Sequence, residues 1–316
     1  MGATPTSEGV IFRVWAPHAS SVSVVGAFNR WTPRKHLMQV EGNGIWSLEI
    51  PGLKPGDPYR YWLETPYGGL SRMDPYARAV SAVKGDCLVY DPHRFDWEGD
   101  AFTPPPLNQL AIYEMHIGSF NKAGKLEPGT FDEVLGRLDY LAALGVNAIE
   151  VMPIIEFSGD LPWGYNPVHL FAVRQAYGGP DAFKRFVKQL HRRDIAVLLD
   201  VVYNHLGPED LDLWRFDGWY EGEGGGIYFY NDWRAETLFG PRPDFSRPEV
   251  RRFILDNLRM WLDEYHVDGF RVDSVLYMRN VKGDQGGELP EAWSLLQEMT
   301  ELVHRGYPGH IMVAED

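Results

Sequence analysis

The chain has 316 residues, of which 44% are apolar and 23% charged, proportions of a folded globular protein rather than a disordered one. A formal charge of −14 with no basic block to offset it excludes a nucleic-acid partner. No apolar run reaches the ~20 residues of a membrane span and the first ten residues lack signal-peptide character, so no membrane partner is expected; Cys87, the single cysteine, excludes a disulfide framework or cysteine-based zinc site and fits a cytoplasmic setting.

In chain order, residues 9–92 read as short strands. Val10 to Trp15 alternates around Phe12 and Val14, Gly44 to Ile50 alternates through Ile45, Trp46, Leu48 and Ile50, and Gly26, Asn29, Pro33, Gly42, Asn43, Pro51 and Gly56 punctuate them. This spacing predicts an all-β, immunoglobulin-like sandwich over residues 1–95. The run Pro104-Pro105-Pro106 cannot continue a ladder, so 96–108 reads as a linker.

From 109 to 316 strands and helices alternate. Strands are predicted at 110–114, 148–152, 196–202, 267–272 and 310–314, with helices at 130–144, 181–192, 248–265 and 290–304 between them. Thr130 with Glu133 three residues on has the pattern of a capping box. Five apolar strands joined by helices imply a parallel sheet. A Rossmann-type sheet is disfavoured because no strand enters a three-glycine turn, and the glycine-rich stretch 222–226 lacks a phosphate loop's lysine.

Three of these strands deliver acids. Asp200-Val201-Val202-Tyr203-Asn204-His205, Gly269-Phe270-Arg271-Val272-Asp273-Ser274 and Val313-Ala314-Glu315-Asp316 each put a carboxylate at a strand's C-terminal end, the rim where a parallel α/β barrel does its chemistry. Such acids, with an arginine two residues before one of them, point to glycosidic-bond chemistry.

These three stretches resemble conserved regions of glycoside hydrolase family 13, the α-amylase family, and Trp163-Gly164-Tyr165-Asn166-Pro167 is similar to its segment after the second barrel strand. Phe12-Arg13-Val14-Trp15-Ala16-Pro17 and Gly26-Ala27-Phe28-Asn29-Arg30-Trp31 resemble carbohydrate-binding module family 48. The resemblance implies that 109–316 is the first part, about five βα units, of a TIM (β/α)8 barrel. It implies Asp273 as the nucleophile and Glu315 as the general acid and base. Tyr165, Asp200 and His205 would hold the sugar before the cleaved bond, with Asp200 orienting Arg271. Arg271, on the same strand face as Asp273, should keep that carboxylate ionised. A protonated Glu315 calls for a less polar pocket.

Asn204 corresponds to a calcium ligand in many secreted amylases; branching-type relatives generally manage without that ion, so no metal and no other cofactor is assigned. Glu114 and His116 also fit the family pattern, as functional or structural residues. Among the sandwich aromatics Trp15, Trp31, Trp46 and Trp62, core packing is favoured over grip on glucan. Arg251-Arg252 reads as a solvated helix face.

The implied activity is retaining transfer on α-1,4-glucan (glycogen, starch or maltooligosaccharide), with branching first. Hydrolysis (trehalose-releasing, debranching or amylase-like) and noncatalytic glucan binding are the alternatives. The resemblance also implies further strands, a later aspartate and a histidine beyond Asp316. The chain is therefore expected to be a C-terminally truncated fragment with an open sheet edge, insoluble or inactive alone.

Overall fold

The computed structural model describes residues 1–122, 124, 126–159, 163–207 and 211–316. Strands β1 (Gly2–Pro5), β2 (Gly9–Trp15), β3 (Ser21–Gly26), β4 (Gln39–Gly42), β5 (Ile45–Pro51), β6 (Pro58–Thr65), β7 (Gly68–Arg72) and β8 (Cys87–Leu88) make two antiparallel sheets. Their orders are β1-β2-β5-β4 and β3-β6-β7, with β8 also paired to β6. Along β6 buried and half-buried residues alternate strictly, so Tyr59, Tyr61 and Leu63 face Phe12 and Val24 in the core. β1 precedes the start predicted at residue 9; four residues containing Gly and Pro carry no alternation to read. Of the four tryptophans Trp15 is buried, and Trp46 and Trp62 are half-buried with their indole N–H groups bonded to Ala16 O and Glu64. Trp31 is the exposed one, at 39%.

The second part runs β9 (Ile112–Met115), α1 (Ile117–Phe120), α2 (Phe131–Leu135), α3 (Leu138–Leu144), β10 (Ala148–Val151), β11 (Ile155–Phe157), β12 (Pro167–Val173), α4 (Gly179–His191), β13 (Ala196–Val201), α5 (Pro248–Tyr265), β14 (Gly269–Val272), α6 (Val275–Arg279), α7 (Pro290–Gly306) and β15 (Ile311–Ala314). Strands β9, β10, β13, β14 and β15 pair parallel in that sequential order, as the opening run of an α/β barrel does. β13 is buried at every position, which explains its nearly unbroken apolar run.

The helix predicted over 130–144 is two helices. Thr130 caps α2 through the expected box with Glu133, but Gly136 and Arg137 form a tight turn before α3. Glycine inside a helix costs about 1 kcal/mol, while Phe131, Val134, Leu138 and Leu141 still share one buried face. Leu144, expected on that stripe, is 51% exposed. The antiparallel pair β11 and β12 lies where the sequence showed only a connection. Arg251 does not sit on a solvated face: its guanidinium donates to Glu291 O and Glu298, tying α5 to α7.

The two parts share one continuous core. Trp15 packs edge-on against Tyr228, and Tyr76 lies between Phe171 and Phe253. Arg78 pairs bidentately with Glu264, and Arg72 donates to the carbonyls of Arg215 and Phe216. Residues 95–102 lie against the barrel part: Trp97 stacks on His266 at 3.8 Å and Phe102 on His191 at 4.5 Å. Among the described residues no helix is long and apolar enough to cross a membrane.

Candidate active site

Strand register builds this site. Asp200 stands opposite Arg271 on the next strand, and Arg271 opposite Val313. The ladder continues past the strand ends, with Asp273 N–H donating to Val201 O at 2.9 Å and Glu315 N–H to Val272 O at 3.1 Å. Asp273 and Glu315 thus leave neighbouring strands at the same level. The Arg271 guanidinium joins them. Its Nη1 lies 2.7 Å from Asp200 Oδ2 and 2.9 Å from Asp273 Oδ1, and its Nη2 lies 2.9 Å from Glu315 Oε1.

Tyr165 and His205 belong to the same network. The Tyr165 hydroxyl donates to Asp200 Oδ2 at 2.7 Å, and His205 Nε2 lies 2.8 Å from Tyr165 O. Ser274, directly after Asp273, has φ 47°, ψ 55°, a left-handed conformation rare for a non-glycine residue. That turn directs the Ser274 N–H to Glu315 Oε2 at 2.8 Å. The strain, of order 1 kcal/mol or more, is spent on fixing the two acids relative to each other.

Residues 112–215 match the model of the alpha amylase catalytic domain, and residues 1–77 match carbohydrate-binding module 48, the isoamylase N-terminal domain. Each of the two matches covers less than half of the chain, one on each of its two parts. It is 37% identical to the 1,4-alpha-glucan branching enzyme GlgB of Picrophilus torridus, over 98% of this chain and 45% of that protein. Against the protein of the same name from Fusobacterium nucleatum it is 36% identical, over 100% and 52% respectively. A solved pullulanase from Bacillus acidopullulyticus superposes with a TM-score of 0.81 at 25% identity, covering 100% of this chain and 41% of that one. The chain spans about half the length of the curated relatives it matches.

The electrostatics set the acids apart. Burial pushes Asp200 up to about 7, against the opposing pull of Arg271 and the Tyr165 hydroxyl. Burial also raises Asp273, while Asn204 and Arg271 pull it back and Glu315 adds to the rise. His205 is driven down to about 4 by burial, opposed by the Tyr165 carbonyl, and its Nδ1 lies 2.6 Å from Asn204 Oδ1. Glu315 departs from the expectation of a less polar pocket. Its side chain is 48% exposed, and both its oxygens face donors, Arg271 and the Ser274 N–H.

All six residues singled out by motif, Tyr165, Asp200, His205, Arg271, Asp273 and Glu315, are therefore brought together. His116 is not among them: its ring is engaged by Ser119 and Tyr177. Glu114 pairs in register with Glu150. Glu150 was missed; burial raises its carboxyl, which lies in the field of Arg271, Glu114 and Glu315. Phe239 was missed as well. It leans on His205 at 5.5 Å and meets Tyr277 edge-on, on a loop whose buried Arg242 donates to the carbonyls of Arg234 and Tyr277. No residue spacing announced either. Asp200 Oδ1 is buried with no hydrogen-bond partner among the described residues.

Proposed function

We propose that the protein transfers α-1,4-glucan segments with retention of configuration and makes α-1,6 branches. An Asp273 oxygen attacks the anomeric carbon as the bond to the leaving O4 breaks, and Glu315 gives its proton to that O4. The product is a glycosyl ester on Asp273. Glu315 then takes the proton of an acceptor 6-hydroxyl, whose oxygen bonds to the anomeric carbon as the ester breaks. Tyr165 offers its ring to the bound sugar, with Asp200 and His205 lining the same subsite. The sandwich, residues 1–95, would hold glucan beside a catalytic part at 109–316, joined by 96–108. The lone buried thiol of Cys87 favours a cytoplasmic setting.

The observation that carries this reading is the single guanidinium of Arg271 bonded to both Asp273 and Glu315. Two oxygens held by one planar fork are close enough together to serve one reacting centre. Incubation with amylose tests it: new α-1,6 linkages at constant reducing ends are expected. Rising reducing ends without new branches would make water the acceptor and the protein a hydrolase. Retention on glycogen with neither product would leave a glucan-binding protein.

A further inference from the structure

We propose that Asn204 is a positioning residue for Asp273, using its amide to orient the carboxylate instead of serving as a calcium ligand. The inference rests on the reading of Asp273 as nucleophile. Asn204 is fully buried, and its Nδ2 donates to Asp273 Oδ2 at 2.7 Å and to Asp273 O at 3.1 Å. Both amide hydrogens are thereby spent on one residue. Those bonds also decide which way the amide faces, because turning it over would set Oδ1 against the carboxylate.

The oxygen side of Asn204 then lies 2.6 Å from His205 Nδ1. Polar contacts join Asp273 to Asn204 and His205 on one side and to Arg271, Asp200 and Tyr165 on the other, and a neutral His205 donates from one ring nitrogen only, to Asn204 Oδ1 or to Tyr165 O. Arg271 takes Asp273 Oδ1 and Asn204 takes Oδ2, so the carboxylate plane is held from two sides. A neutral amide provides the second hold without a second positive charge, which would further stabilise the carboxylate and blunt its attack.

These residues do not fit calcium. That ion needs six to eight oxygens, carboxylates among them. Here Asn204 Oδ1 faces an imidazole and its nitrogen faces the acid. Among the described residues no group of three or more His, Cys, Asp or Glu side chains is arranged to hold a metal.

The test follows Asp273 itself through its 13C carboxyl resonance in a pH titration, assigned by its loss in Asp273→Asn. Removing the amide in Asn204→Ala should raise the pH at which Asp273 titrates by about one unit or more. The isosteric Asn204→Asp should raise it further, since two carboxylates would meet at the contact. The wild-type melting temperature should be the same in calcium chloride and in EDTA. Asp273 titrating within a few tenths of a unit of wild type in the variants overturns the proposal. So does a calcium-dependent melting temperature that Asn204→Ala abolishes. If Asn204→Ala does not fold, Asn204→Asp and the calcium measurement on wild type still decide. Wild type is also exposed to 5-fluoro-α-glucosyl fluoride: no ester on Asp273 by mass spectrometry would sink the catalytic reading while leaving the Asn204 result standing.

Discussion

Arg271 and Glu315 are in contact in the ligand-free site, Nη2 to Oε1 at 2.9 Å. In the proposed reaction Glu315 gives a proton to the departing oxygen, and a sugar entering the site would replace water around this half-exposed side chain. Arg271 also holds Asp200 and Asp273, so one guanidinium meets three carboxylates.

Lysine cannot reproduce that fork. Arg271→Lys is expected to lower amylose turnover by roughly 100-fold or more while far-ultraviolet circular dichroism stays unchanged. Wild-type rates in a folded variant would show that the shared guanidinium is incidental.

The two acids should separate by leaving group. With an α-maltosyl fluoride donor, whose fluoride departs without protonation, Glu315→Gln should still form an ester on Asp273, detectable by peptide mass spectrometry. Asp273→Asn should form none. Equal labelling of both variants would contradict the assigned roles.

His191 predicts a pH effect on stability far from the site. Its Nδ1 lies 2.8 Å from Asp100 and its Nε2 3.0 Å from Asp268, with His266 also on Asp100 and His310 nearby. Burial lowers the ring's affinity for a proton, but Asp268 and Asp100 outweigh it and the net shift is upward from 6.5. A raised folded value means that the contribution is complete below about 6.5 and fades as pH rises through the folded value. The melting temperature of wild type should therefore exceed that of His191→Gln by several degrees at pH 6, and the gap should narrow by pH 9. A constant gap across that range would refute it.

Gly269 is required by space. A Cβ there would come within 2.2 Å of Ile311 O on the neighbouring strand. Gly269→Ala should destabilise by roughly 1–3 kcal/mol, read from urea unfolding, and should weaken Asp273 labelling because β14 and β15 carry the two acids. Unchanged unfolding would mean that the strands absorb the methyl group.

Much of this architecture was legible in residue pattern. The five apolar runs became the parallel strands, and α5 spans the predicted 248–265. Asp200, Arg271, Asp273 and Glu315 converge because residues at the ends of sequential parallel strands have little choice of direction, and Tyr165 and His205 reach them from the adjoining loops. Less visible were elements whose pattern is set by surroundings. Gly136 divides a helix whose apolar stripe continues across it, and the β11–β12 pair is too short and too buried to alternate. Phe239 and Glu150 reach the site through loop path and strand register, which no local spacing encodes.

The amino-acid order alone determined the class of chemistry: a run such as Gly269 to Ser274 specifies which groups stand at a strand end, since side-chain direction there follows from backbone period. The assembled chain decided their charge and their partners. Whether Asp200 holds its proton to about 7, whether Glu315 is sheltered, and which way Asn204 turns its amide depend on burial and on donors from other strands. Those are interactions across tens of residues, and they exist only once the strands lie side by side.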